Sequence, residues 1–315
     1  MRHRSITNQH ALNSLSFIII TYNRPEDMLE LARNISELDG ADTLLEEVII
    51  VNNASTSDYG PIKEFISGTA HVPFRYFDAL ENLGVAKGRN YALAKGSAPI
   101  VIMLDDDAVL QNKDCLYRLM EEFGRDPAGR SRAIVSFKVL YYDTLQMQKN
   151  ALPHKDFEAY RDKSFFETYF YAGGAHAVKR EVIETLGRYP EDFFYGMEEY
   201  DLSYRILDAG YSIVYSDKIV MLHKESPLGR KPKKEKIRMM WVNKSKVAWR
   251  YLPKKFFYST AFLWSLQYLR STGFDLGGFV SGWREITRIP RNEKRKVISS
   301  ATLDYLRKVK ARLSY

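Results

Sequence analysis

Short, almost wholly apolar runs alternate along this chain with stretches whose apolar residues recur every three or four positions. Leu15 to Thr21 (LSFIIIT), Glu46 to Val51 (EEVIIV) and Pro99 to Leu104 (PIVIML) belong to the first kind. They predict strands buried on both faces, as in the middle of a parallel sheet. Met28, Leu29, Leu31, Ala32, Ile35 and Leu38 belong to the second kind and predict a helix, with Pro25 in its first turn. Strand, helix and strand in this order make a right-handed βαβ unit. Phe74 to Phe77 predicts a short strand, Asn82 to Asn90 (NLGVAKGRN) a loop feeding a helix to about Lys95, and Lys113 to Phe123 a further helix. Polar loops after strands outline a nucleotide-binding half-sheet. NLGVAKGRN lacks G-x-G-x-x-G, so the dinucleotide fingerprint is missing.

The second half reads differently. Ala133 to Leu140 predicts a strand, and the aromatic, charged, aperiodic Tyr141 to Phe170 predicts a loop with short helices over a cleft. Tyr171-Ala172-Gly173-Gly174-Ala175 places adjacent glycines in a strand-like run, which lets a ligand or backbone approach closely. Glu181 to Leu186 predicts a short helix. A longer one starts at Glu198, with Leu202, Ile206 and Ala209 as its stripe and Gly210 as its stop. Ser212 to Leu222 predicts one long strand or a pair, ending at His223.

Two acidic clusters carry the candidate chemistry. Asp105, Asp106 and Asp107 directly follow the most apolar strand. Adjacent carboxylates raise one another's pKa unless a cation joins them. A divalent ion with hard oxygen ligands, Mg²⁺ or Mn²⁺, answers that need and in turn holds phosphate oxygens. The plainer reading is a solvated turn with one Asp as helix N-cap. Glu198, Glu199 and Asp201 open the later helix. The helix dipole favours a carboxylate there, and one of them is a candidate general base if the fold brings it opposite the aspartates. His223, at a strand end, is a candidate imidazole ligand for the same metal.

Composition narrows the class. At 315 residues and 45% hydrophobic, the chain can build one large core or two modest ones. Its single cysteine, Cys115, leaves no intrachain disulfide framework and fits a reducing compartment. The polar first fourteen residues give no signal-peptide pattern, and no run reaches the ~20 apolar residues of a transmembrane helix. The net charge of +8 conceals an asymmetry: residues 224 to 315 carry 23 Lys and Arg against 6 Asp and Glu. An acidic body with a basic tail suggests an anionic surface as partner.

The ordered segments SFIIITYNRPEDM, VIIVNNASTSD, ENLGVAKGRNYAL, VIMLDDDAVL, YAGGAHAVKREVIETLG and FFYGMEEYDLSYR resemble, from Leu15 to His223, the inverting glycosyltransferases of family 2. The resemblance implies a GT-A fold: a Rossmann-like mixed α/β sheet flanked by helices. It implies a hexosyltransferase-type enzyme taking a sugar from a nucleotide-diphospho-sugar with Mn²⁺ or Mg²⁺. By motif position, Thr21, Asn23 and Arg24 line the nucleotide site, mostly through backbone. Asn52 reads the base, and Arg89 contacts base or diphosphate. Asp105 and Asp107 take the D-x-D positions with Asp106 beside them, and His223 matches a late metal ligand. Gly173, Gly174 and Asp201 fall on the acceptor side. Glu199 stands where the family has its Asp base, with Glu198 as the alternative. Asn52 replaces the usual Asp and can accept a uracil or thymine N3–H only through its amide oxygen, so the base of the expected UDP- or dTDP-linked donor is less tightly fixed.

The expected organisation is a tail (1–14), a catalytic domain (15–225) divided into a nucleotide half (15–110) and an acceptor half (111–225), and a basic, amphipathic helical region (226–315). Within that region Lys231 to Trp249 and Phe256 to Leu269 predict helices. They either meet an anionic membrane or pack on the catalytic domain or another subunit. Ser226 to Lys236 is a candidate lid over the donor. The expected enzyme builds surface polysaccharide on a glycan or lipid-linked acceptor, is cytoplasmic and peripheral on the inner membrane face, and binds no nucleic acid. A sugar nucleotidyltransferase is disfavoured, because TYNRPEDM has no glycine for a phosphate loop. A non-enzymatic membrane- or polyanion-binding module leaves both acidic clusters without a purpose.

Overall fold

The structure is a computed structural model that describes residues 14–125, 130–229 and 232–313. The expected tail, apart from Ser14, and Arg230 and Lys231 of the basic run lie outside the described residues. In chain order, β1 (Leu15–Thr21) leads to α1 (Pro25–Ser36) and α2 (Ala41–Leu44), β2 (Leu45–Asn52) to α3 (Gly60–Gly68), and β3 (Phe74–Asp78) to α4 (Gly84–Leu93). Then come β4 (Ile100–Asp105), β5 (Ala108–Leu110), α5 (Cys115–Gly124), β6 (Arg132–Tyr141), α6 (Phe157–Tyr160), β7 (Phe165–Thr168), β8 (Ala175–Lys179) and α7 (Arg180–Leu186). The chain continues through α8 (Glu198–Asp208) and β9 (Ser212–His223) to α9 (Lys233–Tyr251), α10 (Lys254–Thr272), α11 (Leu276–Asn292) and α12 (Ser300–Lys308).

The strands form one mixed sheet in the order β3-β2-β1-β4-β8-β6-β9-β5, with β7 also on β9. β3, β2, β1 and β4 are parallel, β8 is antiparallel to β4 and β6, and β6 is parallel to β9. The period of two sends alternate side chains to opposite faces. Phe17 and Ile19 join the core beneath α1 and α5, whereas Ile18, Ile49 and Val101 join the core that continues into the C-terminal helices. The parallel order places the ends of β1, β2 and β4 along one edge, where their polar loops gather.

Several elements depart from the sequence expectation. The 141–170 stretch contains the strand β7 as well as the expected short helix, α6, and an unexpected helix, α3, follows the polar segment after β2. β7 is a four-residue antiparallel partner of β9, too short to show alternation. β5 follows Asp107 at once and pairs with the end of β9. Gly173 and Gly174 lie in the turn before β8, not inside a strand, and β9 is one strand with a register irregularity.

The C-terminal helices dock through a buried aromatic centre. Trp241 of α9 stacks on Tyr268 of α10 at 5.6 Å and on Phe279 of α11 at 5.9 Å, and meets Trp283 edge-on at 5.6 Å. Its indole N–H donates to the Ala261 carbonyl at 2.9 Å. Gly282 lies against the Trp241 ring, where any Cβ would collide with it. Aromatic pairs of this kind add about 0.5–1.5 kcal/mol each beyond area burial.

Asp201 is a correction to the acceptor-side expectation. It points away from the cleft and accepts from Arg205 (2.8 Å), Arg250 (2.9 Å) and the Tyr251 hydroxyl (3.0 Å). The i, i+4 spacing to Arg205 and the docking of α9 decide this orientation. Removing one partner of a buried ion pair strands the others. Asp201→Ala is expected to lower unfolding free energy by about 3 kcal/mol in chemical denaturation; a loss below about 0.5 kcal/mol would show that the contact between α8 and α9 does not depend on it.

Candidate active site

Three consecutive aspartates end β4, and each has a different environment. Asp105 is partly exposed, and its amide donates to the Gly174 carbonyl at 3.2 Å. Asp106 turns back toward the first loop: its carboxylate accepts from Arg24 at 2.7 Å and from the Tyr22 amide at 3.2 Å. Burial, opposed by Arg24 and reinforced by neighbouring Asp107, raises Asp106 to about 6. Asp107 is buried, 3.2 Å from Arg24 and 3.3 Å from His223 Nε2, and accepts from the Ser226 amide at 2.9 Å.

Asp105, Asp107 and His223 each offer a ligand atom, and these atoms all lie within 4.8 Å of one another. β5 and β9 make this possible, because their antiparallel pairing sets Ala108 opposite His223. Gln148 lies 2.9 Å from His223 Nδ1, which orients the ring with Nε2 toward the carboxylates. Burial opposes the imidazolium, but the hydrogen bond to Asp107 and the charges of Asp107 and Asp105 prevail, so the His223 pKa is raised. Two carboxylates and an imidazole form a donor set that fits Mn²⁺ or Mg²⁺.

The second cluster adjoins the first through two glycines. A Cβ on Gly173 would collide with the Glu199 carboxylate, and one on Gly174 with the Asp105 carboxylate. The Gly173-Gly174 turn is therefore a thin wall with a carboxylate against each residue. Arg89 bridges the same pair of clusters, 3.0 Å from Glu198 and 3.5 Å from Asp105. Burial disfavours its charge, but Glu198, Tyr189, Asp105 and Glu199 together outweigh that and keep it cationic. Burial and then the Glu198 charge lift Glu199 well above the ordinary carboxyl range, whereas Arg89 moderates the rise that burial causes in Glu198. Glu198 Oε2 is buried with no hydrogen-bond partner among the described residues.

Two cavities meet here. One, of about 880 Å³, is lined by Asn23, Arg24, Asn53 and the three aspartates; the other, of about 570 Å³, by Gly173, Gly174, Glu198, Glu199, Phe170 and Tyr200. Arg89, Asp105, Tyr195 and His223 line both. Asn23 and Arg24 fall where the sequence expected them. Thr21 does not: its side chain is fully buried, its hydroxyl lies 2.6 Å from that of Tyr59, and its carbonyl accepts from the Asn53 amide at 2.9 Å. Asn52 is also outside the cavity lining, because its amide oxygen accepts from the Ser55 amide at 3.0 Å and its NH₂ donates to Asp78 at 2.9 Å. The adjacent Asn53 lines the cavity instead.

Sequence reasoning missed Met240 and Lys244 of α9, whereas Lys236 ends the Ser226 to Lys236 segment read as a candidate lid. Met240 of α9 lines the smaller cavity and Lys236 the larger. Lys244, one turn beyond Met240, sits 3.2 Å over the Tyr200 ring, and burial pushes its pKa down to about 7. Phe170 stacks on Tyr200 at 4.9 Å. Lys236, Met240 and Lys244 recur every fourth residue along α9, a spacing legible as one helix face, but nothing marked which way that face points.

Residues 16–187 match the model of the family described as glycosyl transferase family 2, and the chain belongs to that family. Among characterised folds, it is similar to the mannosyltransferase PcManGT from Pyrobaculum calidifontis, solved with GDP-Man and Mn²⁺, at a TM-score of 0.60 and 19% identity over 95% of this chain and 80% of that one. It is similar to residues 1–349 of S. aureus TarS, solved with UDP-GlcNAc, at a TM-score of 0.59 and 16% identity over 88% of this chain and 81% of that one. An uncharacterized glycosyltransferase of Bacillus subtilis, YfnE, is 25% identical over 67% of this chain and 65% of its own length. The fold is GT-A, and the protein is a glycosyltransferase enzyme.

The glycine wall generates a direct test. Gly174→Ala is expected to push the Asp105 carboxylate out of the ligand cluster and weaken Mn²⁺ binding at least about tenfold by calorimetry, with circular dichroism unchanged. Unaltered Mn²⁺ affinity would remove Asp105 from the cluster.

Proposed function

We propose that this enzyme moves a sugar, with inversion at the anomeric carbon, from a UDP- or dTDP-linked donor to a hydroxyl of a glycan or lipid-linked acceptor. The reading extends to surface polysaccharide synthesis in the cell envelope, on the inner face of the membrane. One observation carries the chemistry: a candidate base and a candidate metal cluster face each other across Gly173 and Gly174 at the junction of two cavities.

The donor occupies the larger cavity. Asp105, Asp107 and His223 hold the cation; a divalent ion bound there supplies charge neutralisation for the departing diphosphate. Arg24 and Arg89, already placed beside these carboxylates, offer cationic N–H groups to the phosphates. The acceptor enters the smaller cavity, where the Phe170–Tyr200 stack gives a sugar ring an apolar face. Glu199 takes the proton from the acceptor hydroxyl as its oxygen bonds to the anomeric carbon. The bond from that carbon to the diphosphate oxygen breaks, and its electron pair leaves with the nucleoside diphosphate. Direct displacement inverts the centre, and no carboxylate attacks it.

A thermal-shift screen of UDP-, dTDP- and GDP-sugars, with and without Mn²⁺, tests the donor class. Wild type is expected to be stabilised by one nucleotide family only when Mn²⁺ is present, and Asp107→Ala by none; a shift independent of Mn²⁺ or retained in Asp107→Ala refutes the metal assignment. Glu199→Gln is expected to lower kcat by about 10²–10⁴ while donor Kd stays within about twofold. If Glu198→Gln alone has that effect, the base is Glu198. A base must be ionised to accept a proton, and the folded protein raises Glu199's pKa. The acidic limb of kcat is therefore expected above the ordinary Glu value of ~4.3. A limb at or below that value argues against Glu199.

A further inference from the structure

The outer face of α10 carries a pattern that catalysis does not use. Its inner face, with Phe257, Thr260, Ala261, Ser265 and Tyr268, is buried against the rest of the molecule. Its outer face repeats every fourth residue: Lys254, Tyr258, Phe262, Leu266, Arg270, all exposed. Past the turn, Phe274, Leu276 and Val280 are exposed, followed at the same spacing by Arg284 and Arg288. The six apolar side chains are between 48% and 71% exposed. Single exposed apolar residues are ordinary; a bracketed stripe on two adjoining helices is not.

We propose that the α10–α11 hairpin docks on an anionic phospholipid bilayer, its apolar stripe entering the interface and its cations meeting headgroup phosphates. This rests on the reading of a membrane-associated enzyme and names the surface responsible. Charge selects the occupant. Between residues 254 and 292 stand Lys254, Lys255, Arg270, Arg284, Arg288 and Arg291, against only Asp275 and Glu285. Asp275 is already engaged, accepting from the Gly278 amide at 3.2 Å and the Tyr268 hydroxyl at 2.7 Å. A two-fold contact with a second copy would set this face against itself and bring like charges together. A bilayer supplies apolar depth and phosphate at once. No helix among the described residues is long and apolar enough to cross a membrane, so this contact lies in the interface.

The test is co-sedimentation of the full chain with phosphatidylcholine vesicles, alone or containing about one-third phosphatidylglycerol, without donor or acceptor. Anionic vesicles are expected to bind wild type at least about tenfold more tightly than neutral ones. The triple variant Tyr258→Ser, Phe262→Ser, Leu266→Ser is expected to lose about tenfold, as is Lys254→Glu, Lys255→Glu, Arg270→Glu. Both should keep wild-type nucleotide binding by thermal shift, which shows that they fold. Wild type left in the supernatant with anionic vesicles, or a triple serine variant that binds as well as wild type, overturns the proposal. So does a wild-type dimer that ignores vesicles and becomes monomeric in the serine variant, which would make the face a contact between copies. Because no turnover is measured, failure here leaves the transfer reaction standing, and loss of transfer leaves this result standing.

Discussion

Five carboxylates, Asp105, Asp106, Asp107, Glu198 and Glu199, crowd one edge of the sheet, and the site depends on how their mutual repulsion is contained. Two guanidiniums do most of it. Arg24 lies between Asp106 and Asp107, and Arg89 between Glu198 and Asp105. Among the described residues Glu199 receives no such partner of its own, so burial and its neighbour drive its proton affinity up. The aspartates beside the metal-ligand cluster are thus answered by guanidiniums, while burial and Glu198 tune Glu199 toward proton transfer. Pairs of acids pushed apart in this way are how a single site supplies different acid–base roles.

That arrangement needs rigid support, much of it from the C-terminal helices. The loop before α8 turns through left-handed backbone at Gly196 (φ 77°) and Met197 (φ 73°). A non-glycine residue in that region costs on the order of 1–3 kcal/mol. Asn243 of α9 donates to the carbonyls of Tyr195 and Gly196 at 3.1 and 3.0 Å, and Met240 packs against Gly196. The helix that delivers Glu198 and Glu199 is therefore held on one side by the sheet and on the other by α9. The aromatic centre at Trp241 and the Asp201 ion pairs give α9 its own position. A region that reads as a basic appendage is structurally part of the cleft.

The same helices turn a different face outward. α10 buries one stripe against the rest of the molecule and leaves another exposed, so packing on the catalytic domain accounts for one side of the helix only. Segment 224–229 links these parts: Ser226 reaches Asp107, and Arg24 donates to the carbonyls of Leu228 and Ser226 at 2.8 and 3.2 Å. The metal cluster, the first loop and the start of the C-terminal region are thereby coupled through a few hydrogen bonds.

The apolar runs determined β1, β2 and β4, because a strand buried on both faces has no polar position to spare, and the adjacent aspartates and glutamates declared themselves by sheer local charge. Short partners such as β5 and β7 were invisible, since three or four residues cannot show a period and owe their existence to β9. Only the tertiary structure decided which acidic side chains share the cleft. Asp201 lies two residues from Glu199 yet faces Arg250, while Asp105 meets Glu199's neighbourhood across two glycines from a distant part of the chain. Local sequence specifies the charge a residue carries. Its direction, and the groups that answer it, follow from how helix and sheet pack, which no stretch of the chain encodes alone.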